Sequence, residues 1–142
     1  MNKQANWEIH FIANGVTCQK CGKVEEPFLE HTCYAHTHGM DKYGHMDFQV
    51  VLHLRPKNIV YVLNSMCERV CAGEKFRHGD LVSGIFQDCD VRVEEFREAN
   101  RTVLRVIIPD GKNIFPENEN CRYPYFLQKL PLKQLECFGG GC

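Results

Sequence analysis

Apolar and polar residues alternate along several stretches of the chain with the period of two that half-buried β-strands show. The clearest case is 47–54, where one face is wholly apolar and consists of Phe48, Val50, Leu52 and Leu54. Two other alternating stretches and three apolar runs are also predicted as strands, at 6–12, 31–39, 81–86, 90–96 and 102–108.

A different period follows the third strand. Pro56 suits the first turn of a helix, and the apolar residues after it recur at helical spacing, at Ile59, Val62, Leu63, Met66 and Val70. Gly73 suits the left-handed position that ends many helices. The pattern predicts one main helix, at about 56–72, that packs on the sheet.

These elements predict an α+β fold with a mostly antiparallel sheet of five to six strands and one covering helix. Most connections are too short for the helical crossovers that parallel strands need. The length of 142 residues suits a single domain, 1–142. Within it we expect a Cys-x-x-Cys loop at 13–30 and a flexible C-terminal tail at 133–142.

The composition of the chain argues against a nucleic-acid-binding protein and against a membrane protein. The formal net charge of -1 supplies no basic field for phosphates, so nucleic acid is not an expected partner. The N-terminus lacks the apolar core of a signal peptide, and no apolar run approaches the ~20 residues of a membrane span. We therefore expect a cytoplasmic protein without a membrane anchor.

Nine cysteines are many for a reducing compartment, where stable disulfides are rare. Cys18 and Cys21 have the spacing of two Zn²⁺ ligands in a tetrahedral site. The other ligands would come from His31, Cys33, His36 or His38. Two free thiols or a redox pair are the alternatives for this loop.

A second group of potential ligands follows the loop. His36 and His38 share one face of the predicted strand 31–39, and His45 comes in the turn after it. Three imidazoles would leave a coordination position open for water, with Asp41 or Asp47 orienting a ligand or acting as base. The alternative is that these histidines are hydrogen-bonded residues of a half-exposed sheet face.

The usual enzyme signatures are missing from the sequence. It contains no Gly-rich phosphate loop, no nucleophile elbow and no H-E-x-x-H. The acidic run Glu94, Glu95 and Glu98 is expected to line a solvated edge.

The blocks AHTHGM, YGHMDF, VLNSMCERVCAGEKFRHGD and VIIPDGKNIFPENENC, with the late Gln of FLQ, resemble a bacterial family, Domain of Unknown Function 4262, over residues 34–132. The resemblance implies a compact intracellular α+β domain and carries no activity with it. Of the matching positions, only His45 has obvious acid, base or ligand chemistry. The matches are Thr37, Gly39, Gly44, His45, Asn64, Gly73, Phe76, Gly79, Pro109, Asp110 and Pro116.

Three hypotheses follow for the function. The first is a small cytoplasmic binding or accessory domain, with zinc as its candidate cofactor and a ligand pocket at Thr37, Gly39, His45 and Asn64. The second is a metal-dependent hydrolase with His36, His38 and His45 as ligands and His45 or Asp47 as catalytic candidates. The third is a protein-interaction module, such as an immunity or regulatory partner. The partner in each case is a small molecule or a protein.

Overall fold

The computed structural model describes residues 7–11, 32–98 and 100–135. Within these residues six strands form one sheet in the order β1-β2-β3-β6-β5-β4. The strands are β1 Glu8–Phe11, β2 Thr32–His38, β3 Phe48–Leu52, β4 Leu81–Val82, β5 Val91–Glu98 and β6 Arg101–Ile107. β4 is shorter than the predicted 81–86, and Gly84, at a left-handed φ of 88°, lies just beyond its end.

Neighbouring strands are antiparallel except for β3 and β6, which are parallel. This one parallel pair arises because the main helix and the β4 and β5 strands lie between β3 and β6 in the chain. The predicted α+β fold with a mostly antiparallel sheet is therefore confirmed.

The main helix, α1 Pro56–Cys71, agrees with the predicted 56–72 and begins at the proline. Gly73 follows it at a φ of 105°, as the sequence predicts. The described part of the chain also contains three shorter helical segments, namely the 3-10 helices Met40–Tyr43 and Tyr125–Lys129 and the α-helix α2 Leu132–Leu135.

The helix packs on one face of the sheet, which we call the α1 face. Its buried side chains Ile59, Val62, Leu63 and Met66 belong to the same cluster as alternate strand residues. These strand residues include Ala35, Phe48, Val50, Leu52, Val91, Val93, Leu104 and Val106. The alternation of apolar and polar residues in the sequence therefore predicts which strand residues form this core.

The opposite face, which we call the C-terminal face, is covered by the end of the described chain. Tyr34 and Val51 form a second buried cluster there with Leu127 and Leu135. Leu135 is completely buried and ends α2. Of the tail predicted at 133–142, residues 133–135 belong to α2, and residues 136–142 lie outside the described part.

The prediction that Glu94, Glu95 and Glu98 line a solvated edge is wrong for two of the three. Glu95 is exposed, whereas Glu94 is 5% and Glu98 0% exposed. Alternate residues of β5 point to opposite faces, and Glu94 and Glu98 share the C-terminal face, which the chain covers. Buried carboxylates need partners, and each of these has them.

The Cys-x-x-Cys loop predicted at 13–30 lies outside the described residues, as do Cys18, Cys21 and His31. Over the described ranges, no helix combines the length and the apolar character that a bilayer crossing requires.

Candidate metal centre

Three histidines converge on the C-terminal face of the sheet. His36 and His38 alternate along β2, and the strand register places His10 of β1 directly opposite His36. One potential ligand atom from each ring lies within 4.8 Å of the other two. Among the described residues, this triad is the one group of three or more His, Cys, Asp or Glu side chains close enough to hold a metal ion.

The three rings are packed against one another. The Nε2 atoms of His36 and His38 are 3.1 Å apart, and these two ring centroids are separated by 4.7 Å. The His10 ring lies 4.9 Å from that of His38 and 5.6 Å from that of His36. His36 is completely buried, while His10 and His38 are partly exposed, so the triad reaches from the interior to the surface.

A buried carboxylate lies behind His36. Glu98 Oε1 is 3.3 Å from His36 Nδ1, and Glu98 Oε2 accepts a hydrogen bond of 2.8 Å from the side chain of Gln49. Burial alone would raise the pKa of Glu98, but the contacts with His36 and with the Arg101 guanidinium lower it to about 2. Glu98 is therefore an anion at neutral pH and can fix the orientation of the His36 ring.

Arg101, the first residue of β6, joins the triad to two carboxylates. Its guanidinium makes ion pairs of 2.7 Å with Glu98 and 2.9 Å with Asp47. The same Nη1 lies 3.2 Å from Nδ1 of His38. Burial, followed by the nearby charge of Arg101, lowers the pKa of His38 to about 4, so this ring is neutral at physiological pH.

The structure does not bring His45 to His36 and His38. Its Nδ1 donates to the carbonyl of Met46 at 2.7 Å, and its Nε2 accepts from the backbone N–H of Phe76 at 3.0 Å. The ring also packs beside Phe48, with centroids 5.4 Å apart. Both ring nitrogens thus bind the backbone, and His45 joins the turn after β2 to the segment that follows α1.

The other predicted pocket residues have structural partners as well. Thr37 is buried and donates to Asp47 Oδ1 at 2.8 Å. The side-chain oxygen of Asn64 accepts a hydrogen bond of 2.8 Å from the indole of Trp7, which ties β1 to α1. Gly39, at a φ of 131°, takes a backbone conformation that favours glycine as the chain leaves β2.

The two carboxylates predicted to orient a ligand or act as base are placed differently. Asp47 is 9% exposed, and its oxygens accept from Thr37, from the backbone N–H of Met40 and from Arg101. Asp41 is exposed on the 3-10 helix Met40–Tyr43. Asp47 is therefore not a member of the triad, but it holds two of its neighbours, Thr37 and Arg101.

Sequence reasoning found two members of the triad and missed the third. His10 shares the parity of Glu8 in β1, opposite to Trp7 and Ile9. The position of His10 on the polar face of its strand could have indicated the third member of the triad. If 6–12 pairs with 31–39, His10 comes near one of the β2 histidines.

Comparisons of the chain with known protein families, with curated proteins and with solved structures find no match. The resemblance of 34–132 to Domain of Unknown Function 4262 therefore stays a prediction from the sequence.

Proposed function

We propose that this protein is a small metal-binding domain in which His10, His36 and His38 hold one divalent transition-metal ion, with Zn²⁺ as the first candidate. The observation that carries the proposal is the convergence of three imidazoles whose ligand atoms lie within 4.8 Å of one another. Imidazole nitrogen is a preferred ligand of Zn²⁺, and of Cu²⁺ and Ni²⁺.

The spacing of the rings supports the proposal. Zn–N bonds of about 2.0–2.1 Å in a tetrahedron place two ligand nitrogens about 3.4 Å apart. The separation of 3.1 Å between the Nε2 atoms of His36 and His38 is close to this value. To bind the same ion, His10 must move farther than the other two histidines. Its side chain is 23% exposed and lies on β1, the edge strand of the sheet.

The surroundings of the triad also support it. Metal-binding histidines usually donate their second ring N–H to a carboxylate or carbonyl, which fixes the ring and strengthens the ligand. Glu98 occupies that position behind His36, with Oε1 3.3 Å from Nδ1. Gln49 in turn donates a hydrogen bond of 2.8 Å to Glu98, which holds the carboxylate in place.

Three protein ligands leave a fourth coordination position for water or for an anionic group of a small molecule or protein partner. A hydrolase would also need a general base beside this position. Asp47 already accepts from Thr37 and Arg101, and Glu98 from Gln49 and Arg101. We favour a binding role over hydrolysis because Asp47 and Glu98, the two buried carboxylates near the triad, are both held in ion pairs with Arg101.

A cytoplasmic location is part of the proposal. Four cysteines of the described residues are free thiols, and free thiols persist in reducing compartments. These cysteines are Cys67, Cys71, Cys89 and Cys121.

The proposal is tested by calorimetric titration of the full chain with Zn²⁺ in the presence of a non-thiol reductant. We expect about one equivalent bound at the triad. The matched variants are His10→Ala/His38→Ala, which should lose this equivalent, and Cys18→Ser/Cys21→Ser, which should keep it. Loss in the cysteine variant alone, or no uptake by the native chain, would contradict the proposal.

His45→Ala should destabilise the protein without changing its affinity for Zn²⁺. The substitution leaves the Phe76 N–H and the Met46 carbonyl without their present partner, and we expect a loss of about 2–3 kcal/mol in the free energy of unfolding. Urea denaturation measures this loss, with the exposed His53→Ala as control. A folded His45→Ala chain with a tenfold weaker affinity, about 1.4 kcal/mol, would instead make His45 a ligand.

A further inference from the structure

We propose that Arg101 opposes metal binding at the triad, so that His10, His36 and His38 form an exchangeable site and not a permanently occupied one. This inference rests on the proposed function and concerns how strongly the same site holds its ion. It follows from the atoms that the guanidinium contacts.

The contact with Arg101 determines which nitrogen of the His38 ring carries the proton. Arg101 Nη1 lies 3.2 Å from His38 Nδ1, and a guanidinium nitrogen can only donate a hydrogen bond. Nδ1 of His38 is therefore the acceptor and carries no proton. In the neutral ring the proton is on Nε2.

The proton on His38 Nε2 faces the second histidine of β2, His36. Nε2 of His38 is 3.1 Å from Nε2 of His36, and it donates its proton there. His36 then carries its own proton on Nδ1, which faces Glu98 at 3.3 Å. The contacts from Arg101 to His38 and from His38 to His36 are thus consistent, with a donor facing an acceptor at each of them.

This arrangement competes with a metal ion. The lone pair of His36 Nε2 is directed at the proton of His38, and His38 Nε2 has no lone pair to offer. An ion can enter only if the His38 proton moves to Nδ1. There it would face the N–H of Arg101, so the guanidinium must withdraw from the ring.

The positive charge of Arg101 also opposes metal binding. Arg101 is a cation beside the triad, and it pairs with two buried carboxylates near it, Glu98 and Asp47. These carboxylates would otherwise attract a divalent ion. Arg101 is also held by the carbonyl of Thr37 at 2.9 Å, so its withdrawal disturbs several bonds together.

The test is the dissociation constant for Zn²⁺, measured by competition with a chromophoric chelator. Arg101→Gln should bind Zn²⁺ about tenfold more tightly than the native chain, because one charge-assisted hydrogen bond and one repulsive charge are removed. Arg97→Gln is the matched control, since Arg97 is exposed on β5 and its loss changes the net charge equally. Its dissociation constant should remain that of the native chain.

Two results separate this inference from the proposed function. A native chain that binds Zn²⁺, together with an Arg101→Gln chain of equal or weaker affinity, would overturn the inference alone. A native chain that takes up no Zn²⁺ would overturn both.

If Arg101→Gln does not fold, the protonation of His38 can be measured on the native chain. Long-range proton–nitrogen NMR of the metal-free protein should show His38 protonated on Nε2 and unprotonated on Nδ1. Zn²⁺ should reverse this assignment for His38. Observation of the Nδ1-protonated ring in the metal-free chain would overturn the inference.

Discussion

His36→Ala should lower the affinity of the protein for Zn²⁺ by more than about 100-fold. Loss of a group that only orients a ligand already costs about 10- to 100-fold in affinity, and here the ligand itself is removed. His36 is the central ring of the triad, completely buried, opposite His10 in the strand register and 3.1 Å from His38.

Two further variants make this result specific. Glu98→Gln should weaken binding by about 10- to 100-fold, because it keeps the ligands but removes the negative charge behind His36. Glu95→Gln, an exposed neighbour on β5, is its control and should bind as the native chain does. Circular dichroism should show that each variant is folded. A folded His36→Ala chain with native affinity would contradict the site.

Arg105→Met should lower the free energy of unfolding by about 3–5 kcal/mol, the range found when one partner of a buried ionic network is removed. Arg105 is completely buried on β6. Its Nε donates to Gln49 at 2.6 Å, and its Nη1 donates to the carbonyls of Gln128 and Leu130 at 2.8 and 2.6 Å. The guanidinium also lies 3.6 Å above the ring of Phe96.

Methionine can fill most of this volume but cannot donate a hydrogen bond, so three acceptors would lose their partner. Burial lowers the pKa of Arg105 to about 9, which still leaves it a cation at neutral pH and a counter-charge for Glu98 and Glu94. Chemical denaturation of Arg105→Met and of the exposed control Arg97→Met measures the difference. A loss below about 1 kcal/mol would show that the network contributes little.

The same network links the metal site to the C-terminal segment. Arg105 holds Gln49, Gln49 holds Glu98, and Glu98 lies behind His36. Arg105→Met should therefore also weaken Zn²⁺ binding, although less than Glu98→Gln does, because it leaves the negative charge of Glu98 behind His36.

The fold was readable from the sequence because its main signals are local. The alternation around Phe48 and the helical spacing from Ile59 to Val70 each predict an element that the structure contains. The single parallel pair, β3 with β6, was not readable, because it depends on which strands meet after the chain has crossed the α1 face.

The site was readable only in part, for a related reason. His36 and His38 lie two residues apart, so their shared face follows from the period of a strand. His10 joins them through the register of β1 with β2, and about twenty residues separate those strands along the chain. No local pattern sets that register.

His45 and Glu98 show how long-range contacts change the meaning of a residue. His45 is close to His38 in sequence, but its Nε2 is occupied by the backbone of Phe76, 31 positions away. Glu98 belongs to an acidic run of the kind that usually faces solvent, yet it lies in the interior behind His36. Its partners Gln49 and His36 come from other strands, so no local pattern predicts its burial.

The most direct test of the metal site is anomalous diffraction at the zinc absorption edge from crystals of the native protein equilibrated with Zn²⁺. We expect a single strong peak between the imidazoles of His10, His36 and His38, within about 2.0–2.1 Å of one nitrogen of each ring. A triad without a peak, in a crystal whose zinc is bound elsewhere in the chain, would contradict this expectation.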